Sequence, residues 1–364
     1  MRFHFCTEGE TLLSVAREEG ISPVRLIEEN ALCDPDRLAV GQCLAIYTPS
    51  RIYTVRGGDT LRSVCTHLGK SEAELRRFNP SIGERGLLYP GQALVLGRGA
   101  PPLGAISVLG MIGSQASPQF LRNFISALTY LAIIPDSCER RSGWQIPKSD
   151  TIVSLARQNH ILPLLSVPAF AVTDELLSAL SKKGYAGILL ECESEALHLA
   201  DSIAAGHRHG LAVGLMGARE QETDADLIVP FGLPNEGFLS RCRRICCEEG
   251  TDVYRALIPL PERGTVLPGE CDANSPLLSD CAALAYRRNA RITRDRDERP
   301  QFTFTHTKHG VTETKTLVFE DLASIRKGLT VIGESGAAGV ALRLERISPA
   351  VGTLLSHSFD IIRA

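Results

Sequence analysis

The sequence has one tryptophan, three methionines and only 5% aromatic residues in 364. No apolar run approaches the ~20 residues of a spanning helix. The longest, such as 105–112, are broken by Ser or Gly, so no membrane span is expected. Neither sign of charge dominates: 39 Lys+Arg against 42 Asp+Glu leave −3, which gives no general attraction for nucleic acid. No C-x-x-C pair occurs, and the eleven cysteines are an odd number scattered from Cys6 to Cys281. Neither a disulfide framework nor a zinc site is legible in that spacing. Cys242, Cys246 and Cys247 lie closest together, but His209 is the nearest histidine upstream and no fourth ligand is in view. No metal and no cofactor are expected. The N-terminus, 1–8, lacks the apolar core of a secretory leader, which predicts synthesis in the cytoplasm. What is present, 44% hydrophobic and 22% charged residues, suffices for at least one large buried core.

The first hundred residues repeat. Gly9-Glu10-Thr11-Leu12 returns as Gly58-Asp59-Thr60-Leu61, Asn30 as Asn79, and Gly41-Gln42-Cys43-Leu44 as Gly91-Gln92-Ala93-Leu94. Each unit opens on an alternating strand (3–6; 52–55) and turns at a Thr able to cap the next helix. Leu12, Val15 and Ala16 in one copy, and Leu61, Val64 and Cys65 in the other, have the spacing of one apolar helix face. Two short helices and a closing strand complete a βααβ unit, predicted at 1–48 and again at 51–97. Both units resemble the LysM module, whose pattern is G-D-T-L, then Leu-x-x-x-Asn, then Gly-Gln-x-Leu. The resemblance implies binding of N-acetylglucosamine glycans, peptidoglycan or chitin, in a shallow groove. It assigns Gly9, Glu10, Thr11, Leu12 and Asn30 to that groove in the first copy, and Gly58, Asp59, Thr60, Leu61, Asn79, Pro80 and Ile82 in the second. The first copy has Glu10 where Asp is usual and lacks a Pro after its Asn. The same Thr and Asn side chains could instead serve only as caps and turn formers.

A Gly/Pro-rich linker, 98–104, leads into 105–364, where apolar runs alternate with helical stretches. The runs are 105–109, 130–134, 162–167, 187–190, 212–216, 227–229, 254–258 and 339–342. Eight such strands with helices between them predict a parallel (β/α)8 barrel, with a doubly wound sheet as the alternative. Two alternating stretches, 301–305 and 312–318, flank His309-Gly310 and predict an added hairpin. The expected fold class is α/β: two small βααβ modules followed by a TIM barrel.

Catalytic groups of such barrels sit at the C-terminal ends of strands. The fourth run ends Leu189-Leu190-Glu191-Cys192-Glu193, which puts Leu189, Glu191 and Glu193 on one face. Two carboxylates sharing a cavity would leave one protonated beside one anion, as glycoside hydrolysis requires. Alternatively Glu193 only favours the dipole of the next helix and Glu191 is solvated.

The stretch 183–193 resembles the fourth-strand signature of glycoside hydrolase family 18, D-G-x-D-x-D-x-E. Leu128-Thr129-Tyr130, Pro163-Leu164-Leu165 and Phe319-Glu320-Asp321 agree with its LysM-bearing branch, the spore cortex-lytic N-acetylglucosaminidases. In that family the substrate's own acetamido oxygen is the nucleophile. The resemblance implies Glu193 as general acid, Glu191 as the group orienting the acetamido, and Phe231 at the position of a supporting Tyr, followed by Gly232 where an acid is usual. Leu189 replaces a further Asp, and a barrel-floor Trp expected near Leu342 is missing, since Trp144 lies elsewhere. The implied function is peptidoglycan binding with weak or residual retaining β-N-acetylglucosaminidase activity. The alternative is a catalytically inactive barrel serving as a glycan-binding or spore-coat structural protein. The implied partners are a peptidoglycan or chitin-like glycan and spore coat proteins, without nucleic acid or membrane, and the implied location is the spore coat or cortex.

Overall fold

The computed structural model describes residues 1–48, 52–79, 82, 85–97, 101–136, 146–148, 150–192, 198–218, 224–233, 235–247, 252–268, 275–308 and 311–363. Glu193, Pro80, Trp144 and the His309-Gly310 turn lie outside these residues.

The repeat folds as two βααβ modules. In the first, β1 (Arg2–Phe5) pairs antiparallel with β2 (Cys43–Ile46) around helices Leu12–Glu19 and Pro23–Asn30. In the second, β3 (Ile52–Thr54) pairs with β4 (Ala93–Val95) around Leu61–Leu68 and Glu72–Phe78. The first helix of each starts at a reciprocal cap. Thr11 Oγ1 accepts from the Ser14 N–H at 3.2 Å while Ser14 Oγ accepts from the Thr11 N–H at 2.9 Å; Thr60 and Ser63 repeat this at 3.1 and 3.0 Å. Such a box satisfies two otherwise unpaired amides. The apolar faces then close on small cores, Leu12, Val15, Ala16, Leu26 and Leu44 in one module and Leu61, Val64, Cys65, Leu75 and Leu94 in the other.

Beyond them the predicted barrel is present. Its strands are β5 (Ala105–Gly113), β6 (Tyr130–Ile134), β7 (Leu162–Pro168), β8 (Gly187–Glu191), β9 (Ala212–Ala218), β10 (Leu227–Pro230), β11 (Leu257–Pro259) and β16 (Gly339–Arg343). All neighbours are parallel in the order β10-β9-β8-β7-β6-β5-β16-β11, and a parallel bridge between Ile228 and Ala256 joins the last to the first. Leu109, Met111, Ala132, Leu164, Leu189, Val229, Leu257 and Ala341 fill the interior, so the barrel is a packed core with function left to its rim. Leu189 is fully buried among them; an ionised carboxylate there would be costly without a partner. Between β11 and β16 the chain adds β12 (Thr265–Leu267), β13 (Thr293–Arg294), β14 (Pro300–Lys308) and β15 (Val311–Val318), an antiparallel sheet in the order β12-β15-β14-β13. The predicted hairpin is its β14–β15 pair.

The chain divides into two compact units that do not follow its order in sequence. One comprises 1–103, 263–326 and 348–359, and the other 104–262, 327–347 and 360–364. The segment 105–364 therefore contributes to both. Within the first unit, the first module and the added sheet share a core. Ala39 packs with Cys281, Ala285, Ile292, Phe302, Leu317 and Phe319, and the Ile292 N–H donates to Val40 O at 2.9 Å. Arg294 pairs with Asp321 and lies 4.5 Å from the Phe5 ring centroid, while the Tyr47 ring rests 4.2 Å from His357 on helix Pro349–Ser358.

One buried carboxyl in this unit carries a pH signature. Burial raises the Glu29 carboxyl to about 7 against the opposing pull of Arg25, whose Nε lies 2.6 Å from Oε1. The folded state then holds a proton that the unfolded chain has released, so stability falls as pH rises from about 4.5 to about 7. Denaturant titrations at pH 5 and pH 7.5 should show a loss on the order of 2 kcal/mol. Glu29→Gln should remove that difference; an unchanged pH slope would contradict the assignment.

Candidate functional site

In both modules the groove loops are framed by side chains turned inward. Asn30 donates through Nδ2 to Leu26 O at 3.0 Å and Ala45 O at 2.9 Å and accepts the Ala45 N–H at 2.6 Å. Asn79 does the same with Leu75 O, Val95 O and the Val95 N–H at 2.7, 2.8 and 2.7 Å. Each asparagine thus ties its second helix to the closing strand, and both are buried. Their side-chain amides are engaged in these internal bonds, the frame-forming role that the sequence also allows. Leu12, Leu61 and Ile82 also belong to the module cores, with exposures of 6%, 5% and 3%. Gly9, Thr11, Gly58 and Thr60 remain exposed. Glu10 and Asp59 organise the turns: Glu10 accepts from the Thr7 N–H at 2.6 Å and sits 3.0 Å from His4 Nε2, while Asp59 accepts from the Arg56 N–H at 2.7 Å and Tyr53 Oη at 2.8 Å. Those donors hold both carboxyls below their usual range, the Thr7 and Arg56 amides acting most strongly.

At the barrel mouth, Glu191 ends β8, half-buried, and accepts a hydrogen bond from Ser166 Oγ on β7 at 2.8 Å. Strand pairing sets Glu191 opposite Pro168 and Ser166 opposite Leu189, so the serine reaches the carboxylate from one step below. Phe231, just past β10, is 55% exposed, and its ring leans on Gly217, where a side chain would come within 2.9 Å of ring carbon Cζ. The loop carrying it is clamped. Glu236 takes Arg244 Nε at 2.7 Å and Nη2 at 3.0 Å, with Arg241 Nε at 3.4 Å, and Arg244 Nη2 also donates to Phe231 O at 3.2 Å. Burial alone would raise the Glu236 carboxyl, but Arg244, the Leu233 amide and Arg241 together hold it low. The Arg241 guanidinium fills the space a side chain at Gly232 would need, 2.7 Å from a Cβ there. A side chain at Gly232 would therefore displace an arginine already tied to Glu236.

The other side of the mouth holds charged groups that the strand pattern alone does not single out. Glu262 receives Arg346 Nη1 at 3.0 Å and Arg343 Nε at 3.5 Å, and Glu345 accepts from the Gly113 N–H at 3.1 Å. Arg343 ends β16, directly after the apolar run in which a tryptophan is expected. A charged residue closing an apolar run is the same signal that marks Glu191 on the fourth strand, and it picks out Arg343 on the eighth. Cys192, beside Glu191, is pushed up by burial and stays a thiol. A depression of about 390 Å³ at the opposite end of β7 and β8 is lined by Arg157, His160, Tyr185 and neighbours without a carboxylate, and so lacks the acidic pair on which glycoside hydrolysis relies. Among the described residues no helix is long and apolar enough to cross a membrane.

Comparison with known proteins bears on each half. The LysM domain family matches residues 7–46 and 53–97. Over 112 residues, 31% of this chain, the sequence is 30% identical to the membrane-bound lytic murein transglycosylase D of Escherichia coli (strain K12), and the match spans 18% of that protein's length. Among solved structures, the Bacillus megaterium QM B1551 spore cortex-lytic enzyme SleL superposes with a TM-score of 0.69 at 19% identity, covering 100% of this chain and 99% of that one. The Bacillus cereus SleL gives 0.68 at 18% over 100% and 99%. A chitinase from Chromobacterium violaceum ATCC 12472 gives 0.56 at 15% over 70% and 98%. At such identities the likeness is one of fold: the chain carries two LysM modules and, with them, the barrel architecture seen in SleL and in chitinases.

Proposed function

We propose that this protein binds the N-acetylglucosamine glycan of peptidoglycan through its LysM pair and presents it to a barrel with weak, substrate-assisted β-N-acetylglucosaminidase activity. The observation that carries the binding half is the duplicated exposed turn, Gly9 to Thr11 and Gly58 to Thr60, held rigid by a capping box and an inward asparagine in each copy. Preformed backbone donors and acceptors cost little ordering on binding, and two sites on one chain gain from effective concentration. For the catalytic half, Glu191 supports the reading: a carboxylate oriented by Ser166 at the C-terminal end of the fourth barrel strand is suited to hold an acetamido N–H. Glu193 is assigned the general acid by its place in the motif. Location at the spore cortex rests on the likeness to SleL and belongs to the same proposal.

The full chain is expected to sediment with insoluble peptidoglycan and to be released by soluble N-acetylglucosamine oligosaccharides; a chain left in the supernatant overturns the reading. Mass spectrometry of soluble fragments from spore cortex peptidoglycan should then show reducing N-acetylglucosamine ends for wild type and none for Glu193→Gln. The second reading is a barrel that only holds glycan. It is favoured by Phe231 and by Arg241 against Gly232, and it stands if neither protein releases fragments while both stay bound.

A further inference from the structure

The repeat provides an internal control for one side-chain cluster at the base of the first groove turn. His4, Cys6 and Glu10 place a ring nitrogen, a sulfur and a carboxylate oxygen within 4.8 Å of one another. Forty-nine residues on, the same three positions are Tyr53, Val55 and Asp59. There a tyrosine hydroxyl bonds the carboxylate at 2.8 Å and a buried valine occupies the third place. Module 2 shows that the fold needs only a polar contact and an apolar plug at these sites. Module 1 instead carries a histidine and a cysteine beside the carboxylate, so that all three positions hold residues able to ligate a metal.

We propose that His4, Cys6 and Glu10 form a site for a borderline divalent cation such as zinc. The donor set of imidazole, thiolate and carboxylate is one that zinc accepts in tetrahedral geometry. His4 and Cys6 fall two residues apart at the end of β1, hence on one face, and the turn brings Glu10 against them with its oxygen 3.0 Å from His4 Nε2. The other ring nitrogen, Nδ1, faces the Glu19 carboxylate at 3.7 Å, and Glu19 is itself paired with Arg2. A carboxylate behind the imidazole fixes the ring and raises its basicity, the usual support of a metal-bound histidine. His4 and Glu10 are half-buried while Cys6 is 3% exposed, which leaves the fourth position to water. A bound ion would tie strand β1 to the turn that opens the glycan groove.

Cobalt(II) is the probe, added to the reduced full chain and monitored by thiolate-to-metal charge-transfer absorption and by metal analysis after gel filtration. Wild type is expected to bind one equivalent more than the triple variant His4→Tyr, Cys6→Val, Glu10→Asp, which installs the residues that fold module 2. Equal stoichiometry, or a wild-type spectrum without a thiolate band, overturns the site. Should circular dichroism show the triple variant unfolded, His4→Tyr and Glu19→Gln are read singly. Each should weaken cobalt binding by at least about tenfold; unchanged affinity in both overturns the site equally.

Discussion

Phe231→Tyr is expected to raise fragment release from cortex peptidoglycan by about 10²-fold, and Glu193→Gln on that background to remove the gain. In the family that this barrel resembles, the acetamido oxygen attacks the anomeric carbon, and the tyrosine at this place supports that oxygen as charge shifts onto the ring being formed. A positioned donor of this kind contributes about 2.7–4 kcal/mol to the barrier it lowers. The ring of Phe231 is 55% exposed, so an added hydroxyl stays hydrated and costs little stability. Its backbone is already fixed by Arg244, so the hydroxyl would be presented from a held loop. Release is quantified by mass spectrometry of reducing-end fragments. A variant no faster than wild type would show that the barrel lacks more than a hydroxyl and would favour the purely binding reading.

Gly41→Ala should cost at least about 4 kcal/mol of stability, whereas Gly91→Ala, its counterpart in the second module, should cost about 1 kcal/mol. Both glycines have a left-handed backbone, with φ of +84° and +85°, so alanine carries a similar conformational penalty at each. They differ in what a Cβ meets. At Gly91 nothing lies within 4 Å, but at Gly41 the Ile292 carbonyl oxygen is 2.1 Å away. Backbone cannot rotate aside as a side chain can, so the overlap must push module 1 off the added sheet. Denaturant midpoints compare the two costs. Hydrogen exchange at the Ile292 amide, which donates to Val40 O, reports where the damage lies: faster exchange in Gly41→Ala but not in Gly91→Ala is the expected pattern.

The barrel is legible in the sequence because parallel strands covered on both faces must be apolar throughout, and runs such as 130–134 and 187–190 can be read by eye. The seventh strand shows the limit. An apolar pattern from Tyr254 suggests a start there, but Arg255 is drawn into a turn with Asp252, its amide bonding Asp252 O at 3.0 Å, and β11 begins at Leu257. In the modules, the G-x-T-L and Asn positions stand out correctly as special residues, but a motif does not say whether a side chain points out to a ligand or in to the frame. Asn30, Asn79, Leu12, Leu61 and Ile82 are all buried within their modules. The mouth ion pairs of Glu262 with Arg343 and Arg346 are illegible for another reason: their partners are brought together across some eighty residues by barrel closure. The His4, Cys6 and Glu10 cluster is invisible to C-x-x-C spacing, because a strand's period of two and a turn assemble it.

The shared core of module 1 and the added sheet also bears on inheritance. LysM modules read like cassettes, yet the chain passes between its compact units at 103–104, 262–263, 326–327, 347–348 and 359–360. Recombination that carried residues 1–97 to another gene would take Val40 from Ile292 and Ala39 from Phe302 and Phe319, leaving apolar surface bare on both products. The first module and the sheet inserted before the last barrel strand should therefore be transmitted together, and Gly41 should be retained whatever side chain stands at 292, because its obstacle is a main-chain carbonyl.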